Sequence, residues 1–404
     1  MRILFVAHGP AHVPWIVPLA WASRLAGHEV RVAARPQSVA RVTAAGLIAV
    51  PIGDSAAGDA FIRRTAPITG ERPRRLPATW PSGPLGWSEE RRLHWSDQVL
   101  GLADSLADDL VDFARFWRPD LVVYDVGAVV GLVAAAAVGV PALAHSWCQP
   151  LGLYFLHEDE VPPAYPRLFE RFGAEPRIGT DTWIDCTPPA LHSPHPVPRI
   201  PMRYVPYNGP GQVPDWLREE PKRPRICVTG GITTSTVDDF GRQLLDEAAE
   251  VDADVVMAVT RPEAFDGLAL PGNVRLTGWV PLGALLSTCS GLVQHGGAGS
   301  TMTALAYGVP LLVVPDGTDT PQSLCADQVA RSGTGIHLTP AERARPGALA
   351  AALGHLLTRA EYARRAAAVS EEIAAMPPAA EVVTLLEQRA AHATGSHQRQ
   401  LRDR

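Results

Sequence analysis

Short runs of apolar residues recur along this chain at spacings that suit alternating strands and helices, and the alternation happens twice. Residues 2–7 read as a strand, 13–26 as an apolar helix stopped at Gly27, and 29–34 as a second strand. A short helix over 39–45 and a strand over 48–52 follow. After an irregular stretch the pattern resumes with a helix over 91–117, a strand over 119–125, a helix over 131–138 and the start of a strand at 142–144. Beyond residue 224 it starts afresh. Strands are expected over 225–228, 254–259, 274–276 and 311–314, with helices over 238–251, 302–307 and 326–331. Apolar strands separated by helical crossovers imply parallel sheets covered on both faces. The fold class is α/β.

The interruptions carry information too. Residues 54–90 are rich in Pro, Gly and Arg and contain Trp80 and Trp87, with Trp95 just beyond; the stretch is too long for a mere connection and reads as a lid or binding segment. Residues 147–172, with Trp147 and Phe155, read as an aromatic, irregular pocket wall. Trp80, Trp87, Trp95, Trp147 and Phe155 are the candidate contacts for an apolar acceptor; closing the N-terminal core is their competing use. A proline-rich stretch over 188–224 marks the domain boundary. The division expected is an N-terminal domain over 1–205, a linker over 206–223, a C-terminal domain over 224–375, a closing helix over 376–390 packing back on the first domain, and a disordered tail over 391–404.

Composition narrows the function. A chain of 404 residues with 46% hydrophobic positions supports two cores. A formal net charge of −6 without any basic block argues against nucleic acid. The five cysteines are widely separated and form no C-x-x-C pair, as expected of reduced thiols in a cytoplasmic protein. The longest apolar run, 126–144, contains three glycines and Pro141 and is not a membrane span.

Candidate chemistry centres on Gln294-His295-Gly296-Gly297-Ala298-Gly299-Ser300-Thr301, where an apolar strand runs into a glycine turn and a helix opening near Ser300. Glycines admit an anion close to the backbone, and free N–H groups at a helix N-terminus favour negative charge. Without a Lys after the last glycine it is not a Walker A loop, but it suits a diphosphate; a tight turn with no ligand is the competing reading. Thr229-Gly230 ends another strand and offers a second backbone approach. Trp279, followed by Val280, is placed to stack on a nucleobase, or else to fill the domain core. Asp319, Thr320 and Gln322 follow a strand where polar groups could meet sugar hydroxyls. In the first half, His12 follows the first strand and suits general-base work, with Asp125 as its orienting carboxylate. His8 is nearer the strand and is the less suited histidine. Asp252-Ala253-Asp254 lies at the wrong end of its strand for a metal site, and 158–160 reads as a solvated acidic edge.

These features together resemble family 1 glycosyltransferases of the GT-B fold, of the actinomycete type that decorates antibiotic and other natural-product aglycones. The matching landmarks are Ala11-His12-Val13, Pro18-Leu19-Ala20, the strand ending at Asp125, and Val205-Pro206-Tyr207-Asn208-Gly209-Pro210 followed by Val213-Pro214-Asp215-Trp216-Leu217. Gly278-Trp279-Val280-Pro281 and His295 to Ser300 complete them. The resemblance implies two doubly wound Rossmann-like domains facing each other across a cleft, with the acceptor in the first and a nucleotide-diphosphate sugar in the second. It implies His12 as base with Asp125 its partner, Trp279 and Val280 at the nucleobase, and His295, Gly297, Ala298, Gly299 and Ser300 at the diphosphate. No metal is implied, and no cofactor beyond the sugar nucleotide, with dTDP favoured over UDP. Where the family has an Asp-Gln pair for the donor sugar this chain has Asp319-Thr320, with Gln322 two positions on. A shorter hydroxyl suits a deoxysugar.

The activity expected is inverting transfer of a sugar from a dTDP- or UDP-sugar to a hydroxyl of a hydrophobic aglycone such as a polyketide antibiotic. C-glycosylation of an aromatic carbon, a catalytically silent sugar-nucleotide-binding subunit, and an epimerase of the same two-domain fold stand as alternatives. The partners are the aglycone and the sugar nucleotide; a homodimer and a helper protein are left open.

Overall fold

The computed structural model describes residues 1–54, 74–75, 89–147, 160–180, 182–192, 197–231, 236–315 and 320–402. Trp80, Trp87, Phe155 and Asp319 lie outside these residues; Trp95 and Thr320 fall on helices, but their side chains are outside the description. The chain divides into two compact units, one of Met1–Cys186, Ser193–Met202 and Pro377–Arg404, the other of Thr187–His192 and Arg203–Met376.

In the first unit the strands are β1 (Arg2–Val6), β2 (Glu29–Ala34), β3 (Ala49–Pro51), β4 (Arg74–Arg75), β5 (Leu121–Asp125), β6 (Ala142–Ser146), β7 (Glu160–Val161), β8 (Trp183–Asp185) and β9 (Arg199–Pro201). Seven of them form one sheet in the order β3-β2-β1-β5-β6-β8-β9, every neighbour pair parallel. The chain winds outward from β1 to β3, then returns to the other side of β1 as β5. This reversal is the switch point at which open α/β sheets hold ligands, at the C-terminal strand ends. Ile3, Leu4, Phe5 and Val6 are wholly buried, as a strand covered on both faces requires. Helix Glu89–Trp117 lays Ala103, Leu106, Ala107, Leu110, Val111 and Ala114 into the core, a 3.6-residue period that made it legible in advance. The remaining pair, β4 and β7, is a short antiparallel ribbon.

Several expected boundaries move. β8, where no element was expected, and β9, within the proline-rich stretch, extend the first sheet, and helix Ala164–Glu170 orders part of the stretch expected to be irregular, burying Tyr165 and Phe169. Three-residue strands flanked by prolines show no usable alternation. The closing helix Ala379–Arg402 runs on where a disordered tail was expected, because Ala, Gln and Arg continue the helical run with no proline. It packs against helix Val13–Leu25, and its Glu387 lies 3.0 Å from His28 Nε2.

The second unit has β10 (Arg225–Thr229), β11 (Asp254–Ala258), β12 (Val274–Thr277), β13 (Gly291–Gln294), β14 (Leu311–Val313) and β15 (Gly335–His337). They form a six-stranded parallel sheet ordered β12-β11-β10-β13-β14-β15, with the reversal between β10 and β13. The stretch expected to be a linker is packed onto this unit. Asn208 Oδ1 accepts the Gly283 N–H at 2.9 Å and its Nδ2 donates to Thr303 Oγ1 at 3.1 Å, while Tyr204 shares Thr303 Oγ1 at 3.1 Å. Cys186, Cys227 and Cys325 are buried thiols, pushed towards the neutral form by desolvation. Among the described residues, no helix is long and apolar enough to cross a membrane.

Candidate active site

The two sheets each present their chemistry at the switch point. In the first unit, His12 is the residue that opens helix Val13–Leu25, directly after the β1 loop, and its N–H donates to Gly9 O at 2.9 Å. Asp125 closes β5, the strand on the far side of the reversal. The topology therefore brings together two residues 113 positions apart: His12 Nδ1 is 2.8 Å from Asp125 Oδ2. The other carboxylate oxygen accepts the Gly127 N–H at 2.8 Å.

Burial works against the charge on Asp125, which is 1% exposed, yet the nearby His12 charge and hydrogen bond, then His8 and the Gly127 N–H, leave its carboxyl below the usual range. It is therefore ionised near neutrality and can only accept. His12 Nδ1 must then carry a hydrogen, and in the neutral imidazole the lone pair is on Nε2. That tautomer is the one a general base needs.

Two rings flank His12. His8 meets it edge-on at 5.0 Å between centroids, and Trp147, just after β6, does so at 4.9 Å from a nearly perpendicular plane. Of the five aromatic residues expected at an acceptor, the structure places the Trp147 ring, and places it against His12. Burial, with the His12 charge, holds the His8 pKa down to about 4. His145 on β6, in register with Asp125, is wholly buried and likewise pushed down to about 4 by desolvation.

In the second unit, β13 ends in Gln294, whose side chain is fully buried. Its Oε1 accepts the N–H groups of both Gly296 and Gly297, at 2.6 and 2.8 Å, and its Nε2 donates to Thr301 Oγ1 at 2.9 Å. The N–H groups of Gly296 and Gly297 are thus taken up in shaping the turn. The helix also starts earlier than expected, at Ala298, running to Ala306 with Gly297 as N-cap and no capping side chain. Ala298, Gly299 and Ser300 form its first turn, whose N–H groups have no partner within an α-helix. They are the donors left for a phosphate. Gln294 was missed in the sequence; a polar residue closing a buried strand just before two glycines was the available signal.

The imidazole of His295 is 4% exposed and wedged between two backbones. A Cβ on Gly231 would lie 2.7 Å from its Cε1, and one on Gly297 2.9 Å from both Cε1 and Nε2. The loop after β10 and the turn after β13 thus close on one ring. Gly296 has φ of 109°, and a Cβ there would sit 2.6 Å from Gln322 O, so the start of helix Thr320–Ser332 presses directly on the turn. Gln322 itself is 4% exposed, and Thr229 Oγ1 accepts the Gly231 N–H at 3.2 Å.

Trp279 is not a core residue: it is half exposed, with its indole N–H donated to Pro210 O at 3.0 Å and Gly209 against its ring. Val280, by contrast, is buried. Asp252 and Asp254 pair with Arg223, at 3.7 and 2.7 Å, in keeping with a turn. Among the described residues no cluster of three or more His, Cys, Asp and Glu is arranged for a metal ion.

Two Rossmann-like parallel-sheet units, with a His–Asp pair at one switch point and an uncapped helix start at the other, define the GT-B glycosyltransferase class. The N-terminal domain pattern of the erythromycin biosynthesis protein CIII-like family matches residues 21–231, and its C-terminal domain pattern residues 242–388. The chain belongs to this family and is a glycosyltransferase. It is 35% identical to the aclacinomycin-T 2-deoxy-L-fucose transferase of Streptomyces galilaeus, across 96% of each chain. It is 36% identical to the TDP-daunosamine transferase DnrS of Streptomyces peucetius, again across 96% of each. Among solved structures it resembles a spinosyn rhamnosyltransferase complexed with thymidine diphosphate, with a TM-score of 0.78 and 28% identity over 96% of this chain and 100% of that one.

Proposed function

We propose that this glycosyltransferase moves a deoxysugar from a dTDP-sugar to a hydroxyl of a polyketide-type aglycone, with inversion at the anomeric carbon. The observation that carries the reading is the His12–Asp125 pair, which engages Nδ1 and so makes Nε2 the nitrogen available to act as a base when the imidazole is neutral. His12 Nε2 takes the proton of the acceptor hydroxyl as its oxygen attacks the anomeric carbon, and Asp125 stabilises the imidazolium that forms. The bond to the diphosphate breaks on the opposite side. Its growing negative charge falls to the second unit, where the first-turn N–H groups of Ala298, Gly299 and Ser300 supply fixed dipoles. The half-exposed Trp279 offers a face for the thymine ring.

Named relatives act with 2-deoxy-L-fucose and TDP-daunosamine, and a structural neighbour holds thymidine diphosphate. These names support both the deoxysugar and the thymidine nucleotide. The His12–Asp125 pair speaks against a silent subunit, which would not need a base. C-glycosylation would use the same base, so the product separates it.

The test is to incubate the enzyme with dTDP-deoxysugars and UDP-sugars and a panel of polycyclic and macrolide aglycones, then to determine linkage and anomeric configuration by NMR. An O-linked product of inverted configuration made from the dTDP donor agrees with the reading. A retained configuration, or a carbon–carbon linkage, contradicts it.

A further inference from the structure

His8 is not used by the reaction just described, yet it is built into the same cluster. Four contacts close on themselves there. Gly127 donates its N–H to Asp125 Oδ1 at 2.8 Å, Asp125 Oδ2 holds His12 Nδ1 at 2.8 Å, and the His12 ring meets the His8 ring at 5.0 Å. The circuit returns through His8 to Gly127, where a Cβ would lie 3.1 Å from His8 Cγ and 3.3 Å from Asp125 Oδ1. A side chain at 127 would therefore crowd both the His8 ring and the Asp125 carboxylate, which pack on the same backbone.

One hydrogen bond through Nδ1 fixes where the His12 ring is tethered but leaves it able to swing about that tether. Planar walls remove this freedom: His8 on one contact and Trp147 on another, both edge-to-face. We infer that His8 is a positioning residue, whose ring holds the His12 imidazole in the orientation that aims Nε2 at the acceptor. The inference rests on His12 being the base. The charged and titratable groups facing His8 are His12 on the same loop, Asp125 at the end of β5 and Arg35 at the end of β2. His8 stays neutral among them, so it adds no second positive charge when His12 takes up its proton. Misplacing a reacting group by about 1 Å costs on the order of 10²-fold in rate, so a wall against the base has a measurable effect.

The test compares His8→Ala with His8→Phe, which keeps a flat ring but has neither nitrogen. Steady-state kinetics, donor affinity and the downfield proton resonance of the His12 Nδ1–H···Asp125 bond are measured on the full chain. His8→Ala should lower kcat on the order of 10-fold or more while donor Kd and acceptor KM stay within about 2-fold, and should broaden or shift the Nδ1 proton. His8→Phe should recover most of both. Wild-type kcat and an unchanged resonance in His8→Ala would overturn the assignment, as would a His8→Phe variant as impaired as His8→Ala. Should His8→Ala fail to fold, His8→Phe decides alone: near-wild-type kcat and resonance support a packing role, and their loss overturns it. If His12 proved not to be the base, the resonance would still report whether His8 holds its ring, so the two failures are distinguishable.

Discussion

His12 and Asp125 are joined by a 2.8 Å hydrogen bond between residues delivered by strands on opposite sides of the first sheet's reversal. The bond fixes a tautomer and stabilises a charge, and these two roles can be separated. In Asp125→Asn the amide oxygen can still accept from Nδ1, but the imidazolium loses its counter-charge. Turnover should fall by about 10–10²-fold, less than for removal of His12 itself, with donor affinity unchanged. Equal turnover in Asp125→Asn and wild type would show that the carboxylate charge plays no part.

Gln294 shapes the 295–300 turn from inside. Gln294→Ala leaves the buried Gly296 N–H and the part-buried Gly297 N–H without their acceptor, and a stranded buried donor costs about 1–3 kcal/mol. Thermal unfolding should show a clear loss of stability, and calorimetry a donor affinity that falls with it. A stable variant with wild-type nucleotide affinity would show that the amide does not organise the turn.

Trp279 separates stacking from hydrogen bonding. Trp279→Ala should weaken dTDP binding by about 1–3 kcal/mol, the scale of base stacking on an aromatic face. Trp279→Phe keeps a face while losing the bond to Pro210 O, and should recover most of the affinity. Titration of dTDP into each variant is the check; equal losses in both would assign the effect to the N–H bond.

Acid should weaken the first unit in a defined window. His8 and His145 titrate near 6.5 when unfolded and at about 4 in the fold, so between these values the unfolded chain binds more protons. Stability is then fully present above pH 6.5 and is lost progressively as pH falls to about 4. Asp125, held below its ordinary value, adds a further loss at lower pH, as it is protonated. Denaturant unfolding from pH 7 to 4 should show this slope, and His145→Asn should flatten it. An unchanged slope in that variant would remove His145 from the account.

The buried strands β1 (from Ile3 on), β5, β10 and β13 were legible because covered parallel strands read as short apolar runs with turn residues at their ends. The His12 and Asp125 positions were legible as strand-end residues, and the turn at 296–299 by its glycines. β8, β9 and β15 were not, since three residues carry no period and proline-flanked segments look like linker. Gln294 and His8 escaped for a different reason. Their roles come from contacts with backbone and rings brought in by other strands, which no local pattern encodes. The Val205–Pro210 phrase was visible as a landmark, but its packing on Gly283 and Thr303 through Asn208 needed the tertiary structure.

The account turns on one nitrogen, Nε2 of His12. The most direct measurement is single-turnover kinetics of His12→Ala with saturating donor and acceptor, paired with calorimetric titration of dTDP. Turnover should fall by about 10²–10⁴-fold while dTDP affinity stays within a factor of about 2 of wild type. Wild-type turnover in His12→Ala would contradict the central claim.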